Sequence, residues 1–417
     1  MQNTQTLPTP PRLWPWWSTA ALEEVHQLLE SGDLAGAAAT HPQIDACEQL
    51  AGQTLAPGRP MLLCDSGTSA LETAYQALRL EEGAHVLAAS HSFRSTVTAM
   101  LPTGLIPVLC DADPTTGGID LQDAASRVTG RTAALVITHT WGRPVPLQAA
   151  RAFVDRHGLA LIEDCSHAHG TRWKEQPVGT VGDAAIWSCG TWKTVSGGKA
   201  GLLSAADPAV WERARVLAQP KRRALNGLAD PRLRALAVTG AGHNRRPHPV
   251  AAVLAADHLR SLPDIVAVKN ERERAVDALM AALLPNLAPL ADPPGRTAGA
   301  LYKMHWRARS ADAVTVLVDV LRACGIRAAL PARPLHELPL FTDPDLGALL
   351  GLPAALHHDP DGFDGTRRLL DALVEVDTRD LYEPLFGPDP YEPLFGPDPY
   401  EVALTRAAEL IERRRDR

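Results

Sequence analysis

Short apolar runs alternate with helical segments through the first half of this chain, and no other feature constrains its fold so strongly. MLLC (61–64), HVLAAS (85–90), IPVLC (106–110), AALVIT (133–138) and LALIED (159–164) are separated by helical patterns at 69–80, 95–101, 121–127 and 146–157. Such runs have strand length and no polar face, so they must be buried on both sides. Strands joined by helices pair in parallel, because the helix carries the chain back across the sheet. AAIWS and AGLLSA add strands between 184 and 205. The expected fold class is α/β, a mostly parallel central sheet flanked by helices. In such sheets functional groups collect in the loops after the strands' C-terminal ends.

The flanking regions read differently. Residues 1–16 are Pro-rich and suggest an extended arm. Residues 18–31 suggest a helix, with Ser18 as cap, Leu22, Val25 and Leu28 on one face, and Gly32 beyond its end. Ser69 and Glu72 stand at capping-box spacing. A helix at 208–218 precedes a stretch, 219–250, with Lys221-Arg222-Arg223, Arg245-Arg246 and several prolines, which reads as an exposed basic loop. Helical patterns at 251–262 and 267–283 and an α+β pattern at 301–376 suggest a smaller second domain. The division expected is 1–250, 251–380 and a C-terminal extension, 381–417. That extension carries YEPLFGPDP twice, at 382–390 and 391–399, before a terminal helix at 400–414. Two copies are too few for a solenoid, and the repeat reads as a local duplication.

Composition narrows the function. Of 417 residues, 45% are hydrophobic and 21% charged, which suits a globular protein with a real core. Lys+Arg 41 against Asp+Glu 48 leaves a net charge of −7, which argues against a nucleic-acid binder. No run of 18 apolar residues occurs and the N-terminus has no signal-peptide pattern, so neither membrane spanning nor secretion is expected. Six cysteines, none in a CxxC pair, suggest reduced thiols in a cytoplasmic protein.

Three segments carry chemistry. Ser66-Gly67-Thr68-Ser69 follows a strand and opens a helix, where backbone N–H groups and the helix dipole favour a phosphate, although many such turns are glycine-rich for geometry alone. Glu163-Asp164-Cys165-Ser166-His167-Ala168-His169 ends a buried strand, where carboxylates are costly unless they meet a cation or donors. The histidines two apart would share a strand face, but a metal would need a third ligand, and no metal is expected. Lys193 follows another buried strand, among Trp187, Trp192 and a Gly-rich turn; a desolvated lysine can form a Schiff base, and a surface loop lysine is the plainer alternative. Together, a phosphate cup, an Asp after a strand and a Lys about thirty residues on form the set that a pyridoxal 5′-phosphate site needs.

With these motifs in place, the chain resembles the DegT/DnrJ/StrS family of pyridoxal phosphate-dependent aminotransferases, of fold-type I. The resemblance runs from about 17 to about 378 and rests on SGTSAL (66–71), SHSFRST (90–96), DADPTTGGID (111–120), EDCSHAHG (163–170), VGTVGDAAIWS (178–188) and Lys193. It implies that Lys193 is the Schiff-base lysine and proton shuttle, that Asp164 pairs with the pyridine nitrogen, and that His167 lies near the 3′-oxygen. It implies that Phe93 stacks on the ring and that Gly67, Thr68 and Ser188 bind the phosphate. It places Asn244 on a phosphate in the partner subunit of a homodimer with shared active sites, with Arg246 a basic position beside it.

The chain departs from the family after the lysine, where Gly198-Lys199-Ala200-Gly201 stands for G-E-G-G. Lys199 and Arg246 are therefore candidate substrate residues. The activity implied is transfer of an amino group from glutamate or glutamine to a keto-sugar or keto-cyclitol. An eliminating or aromatising enzyme, or a non-catalytic regulator that kept the fold, are the alternatives.

Overall fold

The computed structural model describes residues 14–34, 40–309, 311–323, 326–352, 356, 360–378, 404–406 and 408–409. Seven strands form the central sheet: β1 (Leu62–Cys64), β2 (His85–Ala89), β3 (Ile106–Cys110), β4 (Thr132–Thr138), β5 (Ala160–Asp164), β6 (Ala184–Ser188) and β7 (Gly201–Ala205). Their spatial order is β1-β7-β6-β5-β4-β2-β3. Only β7 runs against its neighbours. The mostly parallel α/β sheet expected from the apolar runs is the one observed.

Adjacent residues of each strand enter opposite cores, as the period of two requires. Leu63, Leu87, Leu135, Leu161 and Leu202 face one side, under helices Pro42–Thr54, Leu147–His157 and Pro249–Arg260. Leu62, Val86, Val136, Ile162 and Leu203 face the other, under helices Gly67–Leu78 and Pro208–Ala218. Covering both faces is why these strands carry no polar alternation. The helix Pro42–Thr54, which the sequence reading passes over, sets Ile44, Cys47 and Ala51 on the first core.

A four-stranded antiparallel sheet, in the order Ala288–Pro289, Lys303–Arg307, Leu373–Asp377 and Ala328–Ala329, builds the second body. Helices Leu262–Leu283 and Ala311–Ala323 pack on it through Met280, Leu317 and Leu321 against Met304, Trp306, Val374 and Val376. Leu404 joins this cluster. The duplicated segment 382–399 and most of the terminal helix expected at 400–414 lie outside the described residues.

Two expectations need correction. Residues 14–17, assigned mostly to an extended arm, are packed: Trp14 is fully buried and its ring stacks on His258 at 4.5 Å, with Trp17 on the same imidazole at 5.7 Å. Three large indoles bury too much apolar area to stay in water. Residues 219–250 are not simply a basic loop. They contain helices Lys221–Leu225 and Pro231–Thr239, and two of their arginines are interior anchors. Arg223 donates to Asp45 at 2.8 Å and Glu48 at 2.6 Å. Arg245 lies on helix Gly67–Leu78, donating to Thr73 Oγ1 at 2.5 Å and to Glu72. The expected helix Thr19–Ser31 is present, with Ser18 Oγ accepting from Ala21 N at 3.1 Å and Gly32 left-handed at φ 69°.

Candidate active site

The three chemistry-bearing segments meet at one edge of the sheet. β5 ends on Asp164, β6 ends on Ser188, and β1 runs into Ser66, while Gly201 of β7 pairs with both Cys64 and Ser188. A Cβ on Gly201 would stand 2.3 Å from Ser66 O, and one on Gly67 would stand 2.7 Å from Ser188 Cβ. Both glycines are required by close approach, not by their backbone angles.

Ser66 caps the helix Gly67–Leu78, its Oγ accepting from Ser69 N at 3.1 Å. The cap is thus three residues before Ser69, and Glu72 faces Arg245 instead of completing a capping box. Ala70 N donates to Ser66 O at 3.0 Å. Of the first-turn donors, the N–H groups of Gly67 and Thr68 are left for an anion at the positive end of the helix. Thr68 Oγ1 hydrogen-bonds to Ser95 Oγ at 3.0 Å.

Asp164 is buried; Thr96 Oγ1 donates to its Oδ2 at 2.7 Å and Ser166 N to its Oδ1 at 3.1 Å. Tyr75 OH fixes Thr96 by donating to its carbonyl at 2.7 Å. Glu163 points the other way. It accepts from Gly179 N at 2.7 Å, Val181 N at 2.8 Å, Gly182 N at 2.6 Å and His139 Nε2 at 3.2 Å. His139 Nδ1 accepts from Val145 N at 3.1 Å, so its proton is on Nε2. His139, Glu163 and Cys165 lie at metal-ligand spacing, but the first two are consumed by these bonds and burial pushes the Cys165 thiol well up.

Lys193 is partly buried. Its Nζ lies 4.4 Å from the Tyr302 ring centroid and 5.9 Å from that of Phe93. Burial draws the amine down to about 8, Lys303 adding to the fall while Asp164 and Cys189 oppose it. Its carbonyl accepts from Trp14 Nε1 at 2.9 Å, and Ser196 N donates to His258 Nδ1 at 3.0 Å, so the N-terminal tryptophans and His258 hold the lysine loop. His167 stacks on Tyr302 at 4.1 Å and 8°. Burial and the Lys193 charge push its pKa well down. Its Nδ1 accepts from Trp141 N at 3.3 Å, leaving the proton on Nε2. His167 and His169 occupy turns after β5, not a strand face, because the strand ends at Asp164.

The rim is more open. Phe93 is 52% and Trp192 46% exposed. Lys199 is exposed, Arg246 partly buried, and Asn244 exposed in the left-handed region at φ 51°. The structure therefore brings Gly67, Thr68, Asp164, His167, Ser188 and Lys193 to one edge with Phe93 above, and leaves Asn244 and Lys199 on the surface. Sequence reasoning missed Thr96, Tyr302, Trp14 and Arg245. Thr96 and Arg245 lay inside quoted motifs; Tyr302 and Trp14 come from remote segments with no local signal.

A buried carboxylate with neutral donors, a desolvated amine and an anion cup suit a cationic pyridine ring bearing an aldehyde and a phosphate. The comparisons agree with this fit. The description "DegT/DnrJ/EryC1/StrS aminotransferase family" matches residues 19–357. The chain is 34% identical to a putative L-glutamine:3-amino-2,3-dideoxy-scyllo-inosose aminotransferase of Streptomyces kanamyceticus, over 48% of each chain, about half the length of that relative. It is 30% identical to the L-glutamine:scyllo-inosose aminotransferase of Streptomyces griseus, over 79% of this chain and 80% of that one. The solved structure of 3-amino-5-hydroxybenzoic acid synthase superposes with a TM-score of 0.76 at 22% identity, covering 97% of this chain and 100% of that one, a likeness of fold. No helix among the described residues is long and apolar enough to cross a membrane. The chain belongs to the DegT/DnrJ/EryC1/StrS aminotransferase family, whose cofactor is pyridoxal 5′-phosphate.

Proposed function

We propose that this protein transfers the amino group of L-glutamine or L-glutamate to a keto-cyclitol or keto-sugar in specialised metabolism. The observation that carries the reading is the Lys193 amine, desolvated beside Tyr302 and placed near the buried Asp164. The Streptomyces griseus relative, matched over 79% of this chain, supports the glutamine donor and the cyclitol acceptor.

Pyridoxal phosphate, when bound, supplies an aldehyde that condenses with amines and a ring that stores the electron pair left by a departing Cα proton. Gly67 N, Thr68 N and Ser188 hold the phosphate. Asp164, oriented by Thr96 and Ser166, would hold a proton on the pyridine nitrogen. His167 Nε2–H is a neutral donor for the ring oxygen. Phe93 would cover the ring. Lys193 Nζ would take the donor's Cα proton and return it two atoms away, at the carbon that the aldehyde supplies; a pKa of about 8 would leave a fraction of free base near neutral pH.

The assay is direct. Purified protein with bound cofactor should lose its visible absorbance on addition of L-glutamine or L-glutamate and regain it with scyllo-inosose or 2-deoxy-scyllo-inosose, with an aminated product by mass spectrometry. Dehydrated product and released ammonia would point to elimination instead. No spectral change with any amino donor would sink the aminotransferase reading.

The site is proposed to be shared in a homodimer, with Asn244 serving the partner's phosphate and Arg246 and Lys199 facing substrate. The exposed Phe93, Trp192 and Asn244 support this. Mixed Lys193→Ala and Asn244→Ala dimers should regain activity above the sum of the parents; proven exchange without recovery would place Asn244 in its own pocket. The domain division is proposed with its boundary after helix Pro249–Arg260, because Ala252, Ala255 and Leu259 lie in the large core. A cytoplasmic location, with neither nucleic acid nor membrane as partner, completes the reading; the buried unpaired Cys47, Cys64, Cys110, Cys165 and Cys189 and the charge of −7 support it.

A further inference from the structure

Helix Leu262–Leu283 carries two buried ionisable residues one turn apart, Lys269 and Glu273, which the roles above leave unused. Both reach the same residue of the second body. Lys269 Nζ donates to Leu301 O at 2.5 Å, and Glu273 Oε1 accepts from Leu301 N at 2.8 Å. Lys269 Nζ also donates to Thr378 Oγ1 at 3.1 Å, whose hydroxyl donates to Tyr302 O at 2.8 Å. Tyr302 N in turn donates to Trp141 O at 2.8 Å. The backbone on both sides of Tyr302 is thus gripped, and its ring lies on His167 and near Lys193 Nζ.

The chemistry is expensive for a structural joint. Burying a lysine and a glutamate carries a desolvation cost that their attraction does not readily repay, and apolar residues of similar size pack as well or better. What apolar residues cannot supply is a fixed direction for a peptide group. Burial lowers the Lys269 pKa and raises that of Glu273, while each holds the other's charge; Asp377 also favours the lysine's charge, and Arg296 the glutamate's.

We propose that Lys269 and Glu273 are positioning residues, which grip the backbone of Leu301 and so hold the Tyr302 ring against His167 and the Lys193 amine. The inference rests on the reading of Lys193 as the cofactor-bearing lysine. The two can fail separately. Borohydride reduction of the wild-type holoenzyme, with mass mapping, tests the reading alone, and a mark on any other lysine would overturn it.

The positioning role is tested on the full-length chain stripped of cofactor. Trace acetylation across pH, with mass mapping, gives the titration midpoint of Lys193. Asp164, Lys303, Cys189 and His167 surround that amine and stay unchanged in every variant. Tyr302→Leu admits water to Nζ, so the midpoint should rise from about 8 towards 10.5, by roughly half a unit to one unit. Lys269→Met should reproduce that shift. Lys269→Met combined with Tyr302→Leu should shift no further, because both act on one contact. Lys269→Arg should restore the wild-type midpoint. A Lys269→Met protein that melts earlier but keeps the wild-type Lys193 midpoint would make the pair merely structural, and additive shifts in the double variant would also overturn the proposal. If Lys269→Met does not fold, Glu273→Gln, which keeps an acceptor for Leu301 N, should give a smaller shift of the same sign; no shift there would reject the inference.

Discussion

The two carboxylates that end β5 are neighbours in sequence and opposites in use. Glu163, on one side of the sheet, meets four N–H donors and no open space. Asp164, on the other side, meets one hydroxyl and one N–H at the edge where Lys193 and the anion cup converge. A carboxylate saturated by backbone donors fixes a loop, here residues 179–182. A carboxylate held by only two donors keeps lone pairs for a ligand's cation. The strand's alternation decides which is which, since one residue of difference moves a side chain to the other face.

The pocket side should dominate chemistry and the far side stability. Lys193→Ala should give the largest effect. Turnover is expected to fall by ~10⁴-fold or more, because the proton carrier is lost, while the melting temperature changes by no more than about 2 °C. A variant that loses less than ~10-fold in turnover would remove Lys193 from the proton transfer.

Asp164→Asn should fold normally and lose ~10²–10³-fold in rate, as expected when an aligned charge is taken from a dry site. Glu163→Gln should do the reverse. Its amide NH₂ would face backbone donors, costing roughly 1–3 kcal/mol of stability by denaturant unfolding, while the folded fraction turns over normally. Equal losses of rate in the two variants would erase the distinction between the two sides.

A smaller effect should separate them by pH. Burial alone would raise the Glu163 pKa, but the bond and charge of His139 and the backbone donors bring it below the ordinary 4.5. The folded protein then binds fewer protons than the unfolded chain in that range, so the contribution of Glu163 is present above about 4.5 and is lost as pH falls through the lower folded value. Between about pH 6 and about pH 3 the urea midpoint of Glu163→Gln should therefore fall less than that of the wild type. Parallel curves would show that Glu163 is not a source of acid sensitivity.

The smallest effect is expected in the duplicated segment, outside the described residues. Deleting 391–399, the second YEPLFGPDP, should leave turnover unchanged and move the melting temperature by no more than about 2 °C. A large loss would mean that Leu394 and Phe395 pack against the body or a partner.

The seven strands, the cap at Ser18, and the candidates Asp164 and Lys193 were legible in the chain because each rests on local physics; the cap of helix Gly67–Leu78 was not, since the sequence offered Ser69 and the structure uses Ser66. Strand burial on both faces leaves an apolar run, a cap needs an oxygen beside the first turn, and a site at a strand's end follows directly after that run. Other features carried no such mark. Trp14 reaches the Lys193 carbonyl across 179 residues, and the Leu301 backbone is gripped by side chains 28 and 32 residues away. Arg223 and Arg245 looked like solvated charge and are anchors. Side-chain periodicity records which face of an element is buried, but not what is buried against it. That second question is settled by packing between segments distant in the chain, and only the tertiary structure set the tryptophans behind the lysine loop and Tyr302 beside the amine.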